Sequence, residues 1–584
     1  MKLKHLLVPI ACILIAGCTP SVQPQPQPSP GGDDGLDGLA TSTILRAMTV
    51  HTDKSCYAPG ETVTFTSDRE QSVAVRYWHL GEVIEQQILP DSRSWTWTAP
   101  ATDFRGYYVE LVGKTSEGEI KTVGSTAVDV SSDWTRFPRY GFLTAFGDIP
   151  ASKMESVLAN LRNYHINGLQ YYDWLYDHHH PLAGTPAKPD SEWPSLIGTT
   201  VQLSTVKGYI EKAHTLGIAS MWYDLCYGAL SWAADDGVDE KWYAFKDKSH
   251  SRKDFHELNA PFRSSIYLVD PGNAAWLDYF AARADEVYDV FPFDGFHIDQ
   301  LGNRGSLYRY DGSQINMPEG YGKFISAMKK AQPGKKLAFN AVSRFGQSSI
   351  AAAPTDFLYN EVWTTAYSEI KTILDENRRL APGKNTVMAA YMNYKQKGKF
   401  NTASVLLADA VMFALGGSHL ELGEHMLCNE YFPDASMEMD VDLKKALPAY
   451  YDFLTGYENL LRDGAEPAKV NVSATGVNAA EYGPVKGSVN YYVTKVGERT
   501  VVHLLNFSDA AHLDWRDDGR TQKEPSLKEA FTVSVRSARE VKRVWLASPD
   551  IDGGVPRDAK WKASGLSIAV DVPSLKYWTM IVIE

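Results

Sequence analysis

The chain has 584 residues, too many for one hydrophobic core, and that length suggests about three or four domains. A formal net charge of −13 and a pI near 5.7 disfavour a phosphate-tracking surface, and with it a nucleic-acid role, so a neutral ligand fits more easily. Aromatics make up 12% of residues, with 15 Trp and 31 Tyr, enough for flat apolar binding surfaces as well as for core.

At the N-terminus Lys2 and Lys4 precede an apolar run from Leu6 to Ile15, which is too short to span a bilayer and reads as a signal-peptide core over residues 1–17. The run closes on Ile15-Ala16-Gly17-Cys18. That ending resembles a bacterial lipobox and implies cleavage before Cys18, lipidation of its thiol, and an exported lipoprotein anchored to a membrane face. Residues 18–44 are rich in Pro, Gln and Gly and read as an extended tether. Cys12 leaves with the signal, and Cys56, Cys226 and Cys428 are too scattered and odd in number for a disulfide framework.

Residues 45–132 carry short alternating runs with turn punctuation, among them SCYAPGETVTFTS, SVAVRYWHL, SWTWTAP, GYYVELVG and STAVDVSS. An immunoglobulin-like β-sandwich is expected there, although its intersheet disulfide is missing. From 133 to 465 strand-like and helical segments alternate. Eight strand candidates (YGFLTAF, INGLQYYDW, IASMWYD, DGFHIDQLG, KKLAFNAV, DFLYNEVW, NTVMAAYM, SHLELGE) give the arithmetic of a (β/α)8 TIM barrel. The long connection from the third to the fourth, with Trp232, Trp242, Tyr243, Phe245 and Phe255, is expected to be functional or internally packed. Residues 466–584 return to strands (VNYYVTK, RTVVHLLNF, VKRVWLA, LSIAVDV, YWTMIVIE) and read as a C-terminal antiparallel β domain.

In such a barrel the reactive groups stand at the C-terminal strand ends, where the loops form one open mouth. The second strand offers Leu169, Tyr171 and Asp173 on one face, the fourth His297 and Asp299, the sixth Tyr359 and Glu361. With side chains two apart sharing a face, Phe296 and Ile298 point at the helices and Asp299 at the axis. Two carboxylates across a sugar-sized gap are what glycoside cleavage needs: one ionised to attack the anomeric carbon, one protonated to donate to the leaving oxygen. Asp299 takes the first role. Glu361, flanked by Tyr359, Asn360 and Trp363, takes the second. The competing use of such acids is as internal salt-bridge partners.

The stretches QYYDWLYDHHHP, DGFHIDQLG and LYNEVW, in that order, resemble glycoside hydrolase family 66, the family of dextranases and cycloisomaltooligosaccharide glucanotransferases. The three-part layout is similar too, so the resemblance covers nearly all of the mature chain. It implies retaining cleavage of α-1,6-linked glucan, with Asp299 as nucleophile, Glu361 as acid/base, and Asp173 as a third acid beside the cleaved sugar. It also implies that the transferase branch carries an extra carbohydrate-binding module inserted in the barrel region. No connection here is long enough for one, which favours hydrolysis.

Further sugar contacts are expected from His178 and His179, His297, Gln300, Asn340 and Asn360, with Asp224 either a contact or a helix cap. Trp174, Trp222, Trp363 and Tyr391 are candidates for stacking on glucose rings, Trp174 and Trp363 foremost. The run His178-His179-His180 has no Cys or carboxylate at zinc-like spacing, and Glu424-His425 with Cys428 and Glu430 lacks the paired His of a zinc helix, so no metal and no cofactor is expected. SWTWTAP could present exposed tryptophans to glucan, but strand alternation accounts for them equally well. The resulting expectation is a monomeric, lipid-anchored endo-dextranase acting on dextran and isomaltooligosaccharides. The alternatives are a cyclising glucanotransferase, a non-catalytic glucan-binding lipoprotein, or an exo-acting or starch-directed glycosidase.

Overall fold

The eight apolar runs form parallel strands that lie side by side in chain order: β1 (Tyr140–Leu143), β2 (Gly168–Tyr171), β3 (Ala219–Leu225), β4 (Gly295–Asp299), β5 (Lys336–Phe339), β6 (Leu358–Glu361), β7 (Thr386–Ala389) and β8 (Gly417–Leu420). A parallel bridge between Asn340 and Tyr359 carries the ladder from β5 to β6. The Phe142 amide donates to Leu422 O at 3.2 Å, bringing the segment after β8 back to β1. This computed structural model describes residues 35–36, 38–537 and 539–584, so the leader, Cys18 and most of the tether lie outside the described residues. Gly38–Glu584 forms one packed unit.

Helices fill the connections, as parallel pairing requires: α1 (Ala151–Arg162), α2 (Leu203–Thr215), α3 (Ala274–Val290), α4 (Met317–Ala331), α5 (Gln347–Ala352), α6 (Tyr367–Leu380) and α7 (Thr402–Ala414), with α8 (Val441–Gly456) following β8. Their starts are written in the sequence. Asn273 caps α3 by accepting from the Ala275 and Trp276 amides, and Asn316, Asn401 and Asp440 cap α4, α7 and α8. Met154, Val157, Leu158 and Leu161 form the buried stripe of α1.

Strand alternation divides the side chains into two sets. One set packs under the helices. Phe296 lies flat on Trp222, ring centroids 3.8 Å apart, and touches Phe280 of α3 and Phe324 of α4. The other set meets between the strands, where Tyr140, Phe142, Met221, Ala338, Tyr359, Val387, Ala389 and Leu420 share one buried cluster. Above that plug the strand ends carry polar side chains, among them Asp299, Asn340 and Glu361, and these define the functional end.

The flanking regions are β-rich, each with its own core, and the architecture as a whole is multidomain. Residues 41–130 build a five-stranded and a three-stranded sheet. Trp95 and Trp97 of SWTWTAP are buried between them, Trp95 stacked on Phe65 at 5.0 Å and Trp97 on Tyr77 at 4.4 Å, so they present no exposed glucan platform. An edge strand, Glu82–Leu89, has no apolar alternation and is invisible to pattern reading. Residues 466–583 build a seven-stranded and a four-stranded sheet around Val502, Leu504, Val533, Val570 and Ile581. The N-terminal sheets are tied to the foot of the parallel strands by Arg139, fully buried between Asp129 (2.6 Å) and Glu458 (3.1 Å). Removing Arg139 would leave two buried carboxylates without this partner.

Candidate active site

The C-terminal ends of β2 to β7 open into a cleft of about 720 Å³. Asp173, His178, His297, Asp299, Gln300, Asn340, Glu361, Trp363 and Tyr391 line it, each singled out by the sequence.

Asp299 is the last residue of β4 and is half-buried. Its Oδ2 accepts the Tyr223 hydroxyl at 2.8 Å, and its Oδ1 accepts the Gln300 amide at 2.7 Å and Asn340 Nδ2 at 2.8 Å. Burial raises its pKa, and these three donors work against the rise. Glu361, the last residue of β6, accepts from Asn340 Nδ2 at 2.9 Å through Oε2 and from the Tyr391 hydroxyl at 2.9 Å through Oε1. Burial, then the Asp299 charge, push it up to about 7. One nitrogen therefore serves both acids, and the two accepting oxygens stand no more than 5.7 Å apart, the limit set by the two bond lengths. A trigonal amide with its two N–H bonds about 120° apart brings them to about 5 Å.

Asp173 reaches the cleft by a route that alternation does not predict. Leu169 and Tyr171 face the helices, Tyr171 packing on Phe146 and Phe293, whereas Gln170 and Tyr172 face the cleft. Asp173 joins them because its backbone turns left-handed, at φ 50°, a conformation Asp tolerates better than most residues. The expected single face for Leu169, Tyr171 and Asp173 is thus corrected. Burial raises the Asp173 carboxyl to about 6, opposed by nearby His178 and reinforced by Asp224 and Asp299. His297 is held near 3 by burial and stays neutral, within 3.4 Å of the Tyr140 hydroxyl.

Five expected sugar contacts are not cleft residues. Trp174 is fully buried against Trp193, Phe291 and Phe293, because the chain turns at Asp173 and sends the next side chain into the core. Trp222 faces the helices, on Phe296. His179 points away and pairs with Asp236 at 2.9 Å. Asn360 alternates outward, donating to Gln347 at 2.6 Å and accepting from Asn377 at 2.7 Å. Asp224 is fully buried behind the wall, bonded to His178 Nδ1 at 2.6 Å, and is neither sugar ligand nor helix cap.

Several cleft residues escaped sequence reading. Tyr223 pairs in register with His297 and so faces inward; period-2 counting along β3 could have found it between Trp222 and Asp224. Glu430, Tyr431 and Phe432, beyond β8, form another wall, with Tyr172 stacked on Phe432 at 4.4 Å. The long connection between β3 and β4 is both packed and part of the cleft. Its Tyr243 and Phe245 are buried, while His256, Leu258, Pro261 and Phe262 line the opening, Phe262 meeting Tyr431 edge-on at 6.3 Å. Arg516, from the C-terminal region, lies over Trp363 at 5.4 Å and donates to the Val362 and Trp363 carbonyls at 3.3 Å.

Among the described residues two clusters bring His and carboxylates within 4.8 Å of one another: Asp177, His179 and Asp236, and Asp409, His419 and Glu421. The first supplies the neighbouring carboxylates that sequence spacing did not reveal. Its groups are already engaged, Asp177 by Trp232 Nε1 at 2.7 Å and Arg263 at 3.0 Å, and His179 by Asp236. In the second, His419 is bonded to Asp409 at 2.8 Å and to Ala390 O at 2.7 Å, away from the cleft.

The model of glycosyl hydrolase family 66 matches residues 52–582. A cycloisomaltooligosaccharide glucanotransferase of Niallia circulans is 26% identical over 754 residues, an alignment that covers 100% of this chain and 75% of that protein. A dextranase of Streptococcus salivarius is 24% identical over 569 residues, covering 83% of this chain and 68% of its own length. The crystal structure of a Paenibacillus cycloisomaltooligosaccharide glucanotransferase complexed with cycloisomaltoheptaose matches with a TM-score of 0.84 at 24% identity, over 92% of this chain and 100% of that one, and shows that the fold is shared.

Proposed function

Because this chain belongs to glycosyl hydrolase family 66 and is an enzyme of the glycoside hydrolase class, we propose that it cleaves α-1,6-linked glucan of the dextran type from within, by a retaining mechanism. The eight-strand array is then a (β/α)8 barrel over residues 133–465, between an immunoglobulin-like sandwich over 45–132 and a C-terminal β domain over 466–584. Asp299 is the nucleophile and Glu361 the acid/base. The observation that carries this reading is the pair of carboxylates tied to one amide nitrogen on the floor of the cleft.

Their spacing supports retention. Retaining pairs stand about 5 to 5.5 Å apart, whereas inverting pairs, which leave room for a water, stand at about 6.5 to 9.5 Å. Their environments support the division of labour. Asp299 has three donors to hold it ionised; Glu361 has two and a pKa of about 7, so it keeps its proton in mildly acidic solution. In the first step Asp299 forms a bond to the anomeric carbon as the glycosidic C–O bond breaks, and the Glu361 proton passes to the departing oxygen. In the second a water gives its proton to Glu361 and its oxygen to the anomeric carbon, and the Asp299 ester is released. Asp173 and His178 stand beside Asp299 at hydroxyl-binding positions, and Trp363 and Tyr431 offer ring faces for stacking. The lipobox reading adds export and a membrane anchor at Cys18.

Hydrolysis is favoured over cyclisation because the longest strand-to-strand connection, residues 226–294, is spent on a three-stranded wall of the cleft and on α3 and has no space for an inserted module. The transferase alignment, 754 residues long against a chain of 584, is consistent with segments in that relative that have no counterpart here. The cyclising reading stands second, favoured by the fuller coverage of this chain by the transferase relative than by the dextranase. Digestion of dextran followed by mass spectrometry and proton NMR tests both. Linear isomaltooligosaccharides released first as the α-anomer are expected. Products lighter by one water would establish cyclisation, and an initial β-anomer would overturn retention.

A further inference from the structure

The side chain of Asn340 has no hydrogen left to donate to a sugar. Its two amide hydrogens go to Asp299 and Glu361, at 2.8 and 2.9 Å, and its Oδ1 accepts the Glu361 backbone N–H at 3.2 Å. The backbone beneath is pinned as well: the Asn340 N–H donates to Ile298 O at 2.9 Å, and its carbonyl accepts Gln300 Nε2 at 3.3 Å. Asn340 stands where the ladder passes from β5 to β6 through the bridge to Tyr359, so it touches the ends of β4 and β6 from between them.

We propose that Asn340 is a positioning residue that fixes the separation of Asp299 and Glu361 and carries stabilisation to whichever of them is charged, and that its amide hydrogens serve the two acids and not the sugar hydroxyls. The inference rests on the assignment of those two acids as the reacting pair. Two carboxylates about 5 Å apart in a half-buried cleft resist being charged together, and a donor to a carboxylate favours its ionised form. In the free enzyme the charge sits on Asp299, which the amide helps to hold ionised. Once the Asp299 ester has formed that charge is gone, and Glu361, having given its proton to the departing oxygen, is the anion. The second hydrogen of the same nitrogen already points at it. No side chain has to move between the two steps, because each hydrogen of the amide is committed to one acid.

The pH dependence of kcat/KM for Asn340→Ala on dextran tests this. Loss of a donor from both acids raises both pKa values, so both limbs of the bell-shaped profile should move to higher pH by about one unit, with kcat lowered by roughly a hundredfold. A variant whose limbs stay in place while KM alone rises would mark Asn340 as a sugar ligand and overturn the proposal. Should Asn340→Ala fail to fold, as a thermal melt would reveal, Asn340→Ser serves instead: its one hydroxyl hydrogen can reach a single acid, so one limb at least should move, and two unmoved limbs overturn the proposal. The wild-type enzyme in the same assay separates this question from the proposed function, because failure to cut dextran at all would sink the latter.

Discussion

Tyr223 and Asp299 stand on neighbouring strands, and the tyrosine hydroxyl donates to Asp299 Oδ2 at 2.8 Å, on the oxygen that Asn340 does not touch. Each oxygen of the proposed nucleophile is thereby held by a different neighbour, and the carboxylate plane cannot rotate freely. Tyr223→Phe keeps the ring and removes the donor. The acidic limb of kcat/KM, which reports ionisation of Asp299 in the free enzyme, is expected to move up by about one pH unit, and the rate below that limb to fall about tenfold. A pH-rate series on wild type and variant checks it.

Glu361→Gln should separate acid catalysis from nucleophilic attack. On dextran, whose departing sugar needs a proton, turnover is expected to fall by about a thousandfold or more. On an isomaltosyl fluoride, whose leaving group needs little protonation, the first step should survive and the glycosyl-enzyme should accumulate as a burst. Equal losses on both substrates would remove Glu361 from the acid role.

The same substitution has a signed effect on stability. The folded-state pKa of Glu361, about 7, lies above its ordinary value of 4.5, so between those pH values the unfolded chain binds fewer protons than the folded one. Rising pH therefore destabilises the fold through this group. The penalty is complete above about pH 7 and absent below about pH 4. Glu361→Gln should melt at a higher temperature than wild type at pH 8, by an amount equivalent to about 2 kcal/mol given partial exposure of the group, and the gain should vanish at pH 4. Calorimetry at the two pH values checks it.

Two tryptophans that look alike in the sequence should behave oppositely. Trp363 lines the cleft, and Trp363→Ala is expected to raise KM for dextran severalfold with little change in melting temperature. Trp174 is core, and Trp174→Ala is expected to cost about 3 to 5 kcal/mol of stability and to affect activity only through the folded fraction. Melting curves alongside Michaelis kinetics distinguish them.

The contrast shows what was legible. Strand identity along the parallel array could be read because each run is short, apolar and followed by a helical period, and the acids at the ends of β4 and β6 could be read because period-2 alternation holds through Asp299 and Glu361. Reading failed where local geometry overrides period. Asp173 leaves the alternation through a left-handed backbone, and with it Trp174 goes to the core. Tyr223 has no signal of its own in the sequence beyond its alternation between Trp222 and Asp224; its pairing with His297 is what turns it inward. The Glu430–Phe432 wall has no local signature, since only the meeting of its rings with Tyr172 and Phe262 makes it part of the cleft. Glu82–Leu89 pairs as an edge strand because of its partner, with no apolar face of its own.

The most direct measurement is to trap the intermediate. A fluorinated glucosyl fluoride that forms the ester quickly and loses it slowly should leave one sugar on the enzyme, and peptide mass spectrometry should place it on Asp299, within FDGFHIDQLG. A label on any other carboxylate, or a catalytically competent enzyme that is never labelled and releases the β-anomer, would contradict the account.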